Sequence, residues 1–563
     1  MSFHRRSAGN RQFSARLWPG WPALLVSAAL LAMCGEHRAW GQGYQTIELA
    51  VPGSVGQALP YAISATGEVV GTFTPKAGGT RGFLYSAGKY TILNGPSGTS
   101  GSIRALGINN ATPQVIVGDY RTADNRFHGF KYESGHYVNY DYNATTSSGI
   151  YGINDHGDFV GDFGLTTIQG FAVIKGVQHA FYGKGTFKTY AYAINNSDAV
   201  VGIYFDSKNV VHGFLRSASG KVTEIRYPGA ESTSCFAIND AGEIAGTYTN
   251  SKGLPYGYTY LNGKYTSTGF ATINGLNGKG VIDGSYWGVD GVAAGYLALP
   301  QAFKLATFTI PNGEAGVING INNAGVAVGT YTDSVGGTHG MMIANGKLTT
   351  IDNPDGVKTV LFAINSKGVI VGDAFDGQGN PHGFKYAQGQ FTGIPGPPDA
   401  LSSDATGIND LGWIAGDYFG TDRTHHGFIL KGSTYKDLNV PGATTTFSAG
   451  INKSGMVVLV YGDARGYTES SLWNGSTYQS INVPGAAQNL AGSINTAGDI
   501  VYRIYDPYGV GQAALKKGGK YYVFDFPGGV NSGALAINDS DEIAGIYSPV
   551  GKTNVTRVFE GTE

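Results

Sequence analysis

The chain restates one phrase at a nearly constant interval, and few architectures are built that way. The phrase is clearest as FAINDAGEIAGTY at 236–248 and GINNAGVAVGTY at 320–331. Anchored on its Ile-Asn pair, it recurs at Asn109, Asn154, Asn195, Asn239, Asn277, Asn322, Asn365, Asn409, Asn452, Asn495 and Asn538, with Ser64 in the first copy. Successive anchors lie 38 to 45 residues apart. In nine of the twelve copies a glycine follows the anchor by seven residues, and in eight copies a second glycine follows the first by eleven, usually inside His-Gly-Phe.

One unit reads as four strands. The first is short and ends at the anchor, where Asp-x-Gly makes a tight turn. The second is EIAGTY-like, with small residues where a neighbour approaches closely. The third is HGFLY-like and turns through Asn-Gly, as at Asn262-Gly263, Asn345-Gly346 and Asn474-Gly475. The fourth stops at Pro-Gly, as at Pro228-Gly229, Pro441-Gly442, Pro484-Gly485 and Pro527-Gly528. Proline cannot donate to a ladder, so it suits the outer edge from which the chain crosses to the next unit.

Four antiparallel strands in about 43 residues is the size of one propeller blade, and no segment after residue 41 has a helical period. The expected fold is therefore an all-β β-propeller of twelve four-stranded repeats, with a β-solenoid as the runner-up. Segment 44–53, YQTIELAVPG, is an isolated fourth strand, while the last copy has room for only three. The expectation is that this N-terminal strand closes the last blade and removes an open edge. Propellers usually have four to eight blades, so two six-bladed halves, 42–300 and 301–563, are the leading division. A single large ring and a seven-plus-five split are the alternatives.

Composition fits this reading and excludes others. The chain has 563 residues, with 89 glycines, 35 tyrosines and 27 phenylalanines, and only 14% charged residues. Residues 42–563 carry 33 basic and 39 acidic side chains, which gives nucleic acid nothing to bind. Residues 1–41 read as a signal peptide: Arg5, Arg6, Arg11 and Arg16 precede the apolar run Ala23–Met33, and Ala39-Trp40-Gly41 offers a cleavage site. Eleven apolar residues are too few to cross a bilayer. A lipid anchor at Cys34 is the rival, disfavoured because Met33 stands where a small residue is needed. The expected location is extracellular or cell-surface, with the periplasm as the other possibility. Cleavage after Gly41 leaves Cys235 as the one cysteine, so no internal disulfide can form.

The repeated Ile-Asn-x-x-Gly, Val-Gly-x-Tyr and His-Gly-Phe phrases resemble the HAF-repeat family of predicted extracellular bacterial proteins. The resemblance covers nearly the whole chain after residue 41. The namesake triplet occurs once, at His179-Ala180-Phe181, and most copies read His-Gly-Phe instead. The resemblance implies an exported repeat protein and carries over no catalytic residues.

Candidate sites are few. His128, His212, His339, His382 and His426 recur at one place in five blades. Histidines a blade apart are too distant to share an ion, so a recurring local hydrogen bond explains them better than a metal. Asp206, Asp333, Asp376 and Asp422 fall in the loops before those histidines without the dense carboxylates of a calcium site. Cys235 reads as a buried small hydrophobe. No metal, cofactor or catalytic constellation is expected, although paired acids from different blades would suit glycoside hydrolysis. Departures from the repeat point to ligand-binding candidates, because structure explains what recurs. These are Tyr286, Trp287 and Asp290 in copy six, and Arg503, Tyr505 and Asp506 in copy eleven, where aromatics stand beside charges. Copies ten and eleven also replace the first glycine with Leu459 and Tyr502. The leading function is a non-catalytic binding or scaffold module for a glycan or an extracellular protein. The alternative is a polysaccharide hydrolase or lyase.

Overall fold

The computed structural model describes residues 38–183, 188–268, 272–287, 293–308, 313–506, 509–526, 529–549 and 557–562. Every regular element among them is a β-strand, and most strands fall into antiparallel four-stranded sheets, one for each copy of the repeat. Blade two is representative, with strands Ile103–Ile108, Val115–Arg121, Phe127–Glu133 and His136–Tyr140. The expected propeller is what the chain forms, and it forms it twice.

The anchor asparagines show how the blades are counted. Each Asn Nδ2 donates to the anchor carbonyl of the next blade: Asn109 to Asn154 at 3.1 Å, Asn154 to Asn195 at 3.2 Å and Asn195 to Asn239 at 3.1 Å. The series then runs through Asn277 and returns to Ser64 at 3.0 Å. A second series runs from Asn322 through Asn365, Asn409, Asn452, Asn495 and Asn538, and Asn538 returns to Asn322 at 3.0 Å. Ten of the anchors also accept the backbone N–H four residues ahead through Oδ1, as Asn239 does from Glu243 at 3.0 Å, while Asn109 accepts that of Val115, six ahead, and Ser64 accepts that of Glu68 through Oγ. One amide thus closes a turn and ties two blades, a double duty that needs both a donor and an acceptor on one side chain.

Two rings of six follow, the second closed by its anchors alone and the first closed by the Ala65 N–H donating to Asn110 Oδ1, and the strand pairing corrects one expectation. The N-terminal strand does not close the last blade. Arg38–Leu49 pairs along its length with Ala293–Phe308, the long third strand of blade six, and so supplies that blade's fourth strand. The distal end of the same long strand, Lys304–Phe308, pairs with Val558–Thr562 and completes blade twelve. Copy six also lacks a fourth strand of its own, so the N-terminal segment has a vacancy within its own ring, one blade away from blade one. The expected division near residue 300 falls inside this shared strand. On its other edge the N-terminal strand meets Tyr521–Phe524 of blade eleven, so one continuous sheet joins the two rings.

Packing between strands two and three explains the two glycine positions. The first glycine lies opposite the aromatic residue of the third strand: Gly71 opposite Phe83, Gly118 opposite Phe130 and Gly416 opposite Phe428. A Cβ on Gly118 would come within 2.9 Å of the Phe130 ring, so the glycine makes room for a fully buried aromatic. Blades ten and eleven invert the pair. Leu459 faces Ser471 and Tyr502 faces Ala514, with the large side chain now on strand two.

Candidate functional site

The first strand of each blade lines its ring's channel, and a β-bulge sets what enters it. Register shifts fall at the residue three before the anchor, as at Tyr151, Tyr192 and Phe236 in ring one and Phe362, Thr406 and Ala449 in ring two. The extra residue of a bulge is turned out of the ladder. In ring two, Asn319, Phe362, Thr406 and Ala449 line a cavity of about 100 Å³ with the anchor asparagines at its end. In ring one the same positions carry Tyr61, Leu106, Tyr151, Tyr192, Phe236 and Asn274, and the rings touch: Tyr151 to Tyr192 at 5.6 Å and Tyr192 to Phe236 at 5.3 Å. Ring one is plugged by aromatics where ring two keeps a small polar hollow.

Polar groups accompany the plug. Arg104 and the buried Asp119 form a two-pronged ion pair, with Nε donating to Oδ1 at 2.8 Å and Nη2 to Oδ2. Burial beside Tyr151 pushes the Asp162 carboxyl up to about 7. Ring two holds Asp373, Asp404 and Asp417 together, all buried, and burial followed by the neighbouring Asp417 charge brings Asp404 to about 7. Asp373 and Asp404 hydrogen-bond each other directly, which leaves no gap for the water or sugar that a glycosidase pair must flank. At the anchor end of ring one, Asp155 and Asp240 both accept from Asn196 Nδ2, at 2.9 and 2.8 Å. Their other oxygens accept backbone N–H groups from Asn110 and Asn196, and hydrogen bonds to Asn196 and Asn110 pull Asp155 down against its partial burial. A general acid needs the opposite shift.

The repeated histidines have the local roles expected of them. His212 Nε2 donates to Asp206 at 3.2 Å, His339 to Asp333 at 3.1 Å, His382 to Asp376 at 3.2 Å and His426 to Asp422 at 2.9 Å. Each of those aspartates also accepts backbone N–H groups within its own loop, as Asp206 does from Lys208 and Val210. His128 uses the Thr122 hydroxyl instead, at 3.0 Å. Tyr204, Tyr331 and Tyr418 stack on His212, His339 and His426. Cys235 is buried, its Sγ is 3.3 Å from the Tyr258 hydroxyl, and burial pushes the thiol up to about 12, which keeps this side chain from being a thiolate at neutral pH.

The candidate ligand residues that are described fall in two blades, Tyr286 and Trp287 in blade six and Arg503, Tyr505 and Asp506 in blade eleven. Tyr286 and Trp287 lie on the second strand of blade six, opposite Ala294 and Ala293, and Asp290 lies outside the described residues. Arg503 lies over the Tyr505 ring at 5.0 Å, and Asp506 accepts the Val510 N–H at 2.8 Å in a turn. Tyr502 is fully buried, its hydroxyl donating to the Ile481 carbonyl at 3.0 Å. This is the inverted cross-strand pair, a core exchange and no binding platform.

A groove between blades nine and ten was missed by the sequence reading. It has a volume of about 320 Å³ and is lined by Trp413, Ile429, Lys431, Lys436, Ser454 and Trp473, with smaller residues between them. Trp413 follows the blade-nine anchor turn, and the Gly455 turn of blade ten lies flat against its ring. Trp473 ends the third strand of blade ten and is rooted in the core beside Val457 and Ile429. Lys431 Nζ stands 3.6 Å from the Trp413 ring centre and Lys436 Nζ 4.6 Å from that of Trp473. Residues 42–563 contain three tryptophans, and two of them meet here. That scarcity was the available signal, but the pair is split between copies and neither breaks the repeat's spacing.

No family model and no curated protein matches the chain. Among solved structures it is similar to the β-propeller domain of the Trilobed protease from Pyrococcus furiosus, at 11% identity over 57% of this chain and 90% of that one, with a TM-score of 0.25. It is also similar to the SapL1 lectin, solved with α-methyl fucoside, at 13% identity over 44% of this chain and 91% of that one, TM-score 0.31. An ancestral GH74 enzyme matches at 9% identity over 90% of this chain and 86% of that one, TM-score 0.28. The likeness is one of propeller architecture.

Proposed function

We propose that the chain is an exported repeat protein, as the HAF resemblance implies, that it is a non-catalytic binding module, and that it takes an acidic glycan in the groove between blades nine and ten. The observation that carries this reading is the pairing of Trp413 and Trp473 with Lys431 and Lys436 in one depression of about 320 Å³. The indoles give the groove an apolar, aromatic wall for the C–H edges of a sugar, and the two ammonium groups that lie over them select for carboxylate or sulfate on that sugar.

The test is a polysaccharide array read for both retention and released reducing ends. Retention on acidic polymers, weakened by salt and lost in Trp413→Ala, is the expected result. The double variant Lys431→Ala/Lys436→Ala should retain neutral and acidic polymers equally weakly. Released reducing ends would overturn the non-catalytic reading, and binding unchanged in Trp413→Ala would move the site elsewhere.

A further inference from the structure

The two rings allow an internal comparison at the anchor turns. In ring two, Asp499 stands four residues after the anchor of blade eleven, and Asp541 three after that of blade twelve. Asp499 Oδ1 accepts the Gly518 N–H at 3.1 Å and its Oδ2 accepts Asn495 Nδ2 at 3.3 Å. Asp541 Oδ1 accepts the same amide at 3.2 Å, and its Oδ2 pairs with Lys517 Nζ at 3.2 Å. Two carboxylates meet across the seam, and a lysine balances them.

Ring one repeats the acids without the lysine. Asp158 and Asp198 hold the corresponding places in blades three and four, and Asp198 has the same left-handed backbone as Asp541, with φ of 57° and 60°. Lys517 follows the residue opposite Ile500, while its counterpart, following the residue opposite Phe159, is Ile174. Asp158 is 5% exposed; its Oδ1 accepts the Lys175 N–H at 2.6 Å, but its Oδ2 is buried without a hydrogen-bond partner among the described residues, as is Asp198 Oδ1. Lys131 approaches from blade two, yet its ammonium donates to the Gly157 carbonyl at 3.2 Å and lies 4.0 Å from the Phe159 ring centre. Beside the acids stands an exposed imidazole, His156, where ring two has Ala497. One ligand atom from each of His156, Asp158 and Asp198 lies within 4.8 Å of the others.

We propose that His156, Asp158 and Asp198 bind one divalent ion of the zinc class across the seam between blades three and four. Buried carboxylate oxygens without donors call for a cation. One imidazole nitrogen and two carboxylate oxygens suit a small ion with a water in the fourth place, and not calcium, which asks for six to eight oxygens. The ion does in ring one what Lys517 does in ring two.

The experiment titrates the full chain, stripped with EDTA, with ZnCl₂ and with CaCl₂, followed by calorimetry and by thermal melting. The expected result is one zinc bound per chain with a raised melting temperature. The loss of one ligand in His156→Ala, at an exposed position, or in Asp198→Asn should weaken zinc binding by about 10-fold or more. A chain that melts at the same temperature with and without zinc overturns the proposal, as does a zinc response undiminished in both variants, or a response to calcium alone.

Discussion

Asp283 occupies a place on the second strand of its blade where other copies carry Val or Ala, such as Val70, Val328 and Ala544. It is fully buried, both its oxygens lack a hydrogen-bond partner among the described residues, and burial pushes its carboxyl up to about 8. Replacement by the repeat's own residue removes a buried polar group and fills the same space. Asp283→Val should raise the melting temperature by several degrees in a calorimetric scan, and a lower value would show that the carboxyl has a partner outside the described residues. Tyr502 makes the complementary case. Tyr502→Gly should destabilise by about 3–5 kcal/mol through the cavity it leaves. Adding Ala514→Phe restores the pairing used by most other blades and should recover much of that loss. A double-mutant cycle in denaturant gives the coupling, and strict additivity would refute the exchange.

Among the elements, the strand Arg38–Leu49 is paired on both edges, to a different ring on each. Thr46 lies opposite Ala298 on one side and Tyr521 on the other, so a proline there removes a ladder bond whichever way the N–H points. Thr46→Pro should lower stability by about 3 kcal/mol or more and leave ring one open at blade six, with new protease sensitivity near that blade. Equal sensitivity of both rings would contradict the pairing. The four-strand unit was legible in the sequence because its turn residues and its glycines recur at fixed offsets. The exchange of strands was not: YQTIELAVPG resembles every other fourth strand, so nothing local says which blade it joins. The Trp413–Trp473 groove escaped for a related reason, since a feature assembled from two copies leaves no mark in either. The departures in copies ten and eleven were visible, but only the register showed that Leu459 and Tyr502 answer to Ser471 and Ala514.

At the scale of the molecule, several buried acids share one dependence on pH. Burial raises Asp162 to about 7, Asp283 to about 8, Asp404 to about 7 and Asp525 to about 6. In the unfolded chain these groups ionise near 4, so the folded state holds more protons between there and about 8. Stability is therefore greatest near pH 4–5 and falls as pH rises through 6 to 8. Asp376 and Asp422, held low by hydrogen bonds to Asn380 and His426, change stability only in more acid solution, outside this window. Melting temperatures measured from pH 4.5 to 8.5 should decline steadily, and a rise over that range would refute the assignment of neutral buried carboxyls.

The strand shared by the two rings also bears on how they can turn against one another. Arg38–Leu49 and Arg557–Thr562 flank Ala293–Phe308 from opposite edges, Arg38 opposite Ala306 and Thr562 opposite Lys304. Both run antiparallel to it and hence parallel to each other. Leu305 stands between these two register points and faces Gly561 directly, so the central strand is held on both edges at one level and neither ring can turn about it without breaking ladder bonds of the other.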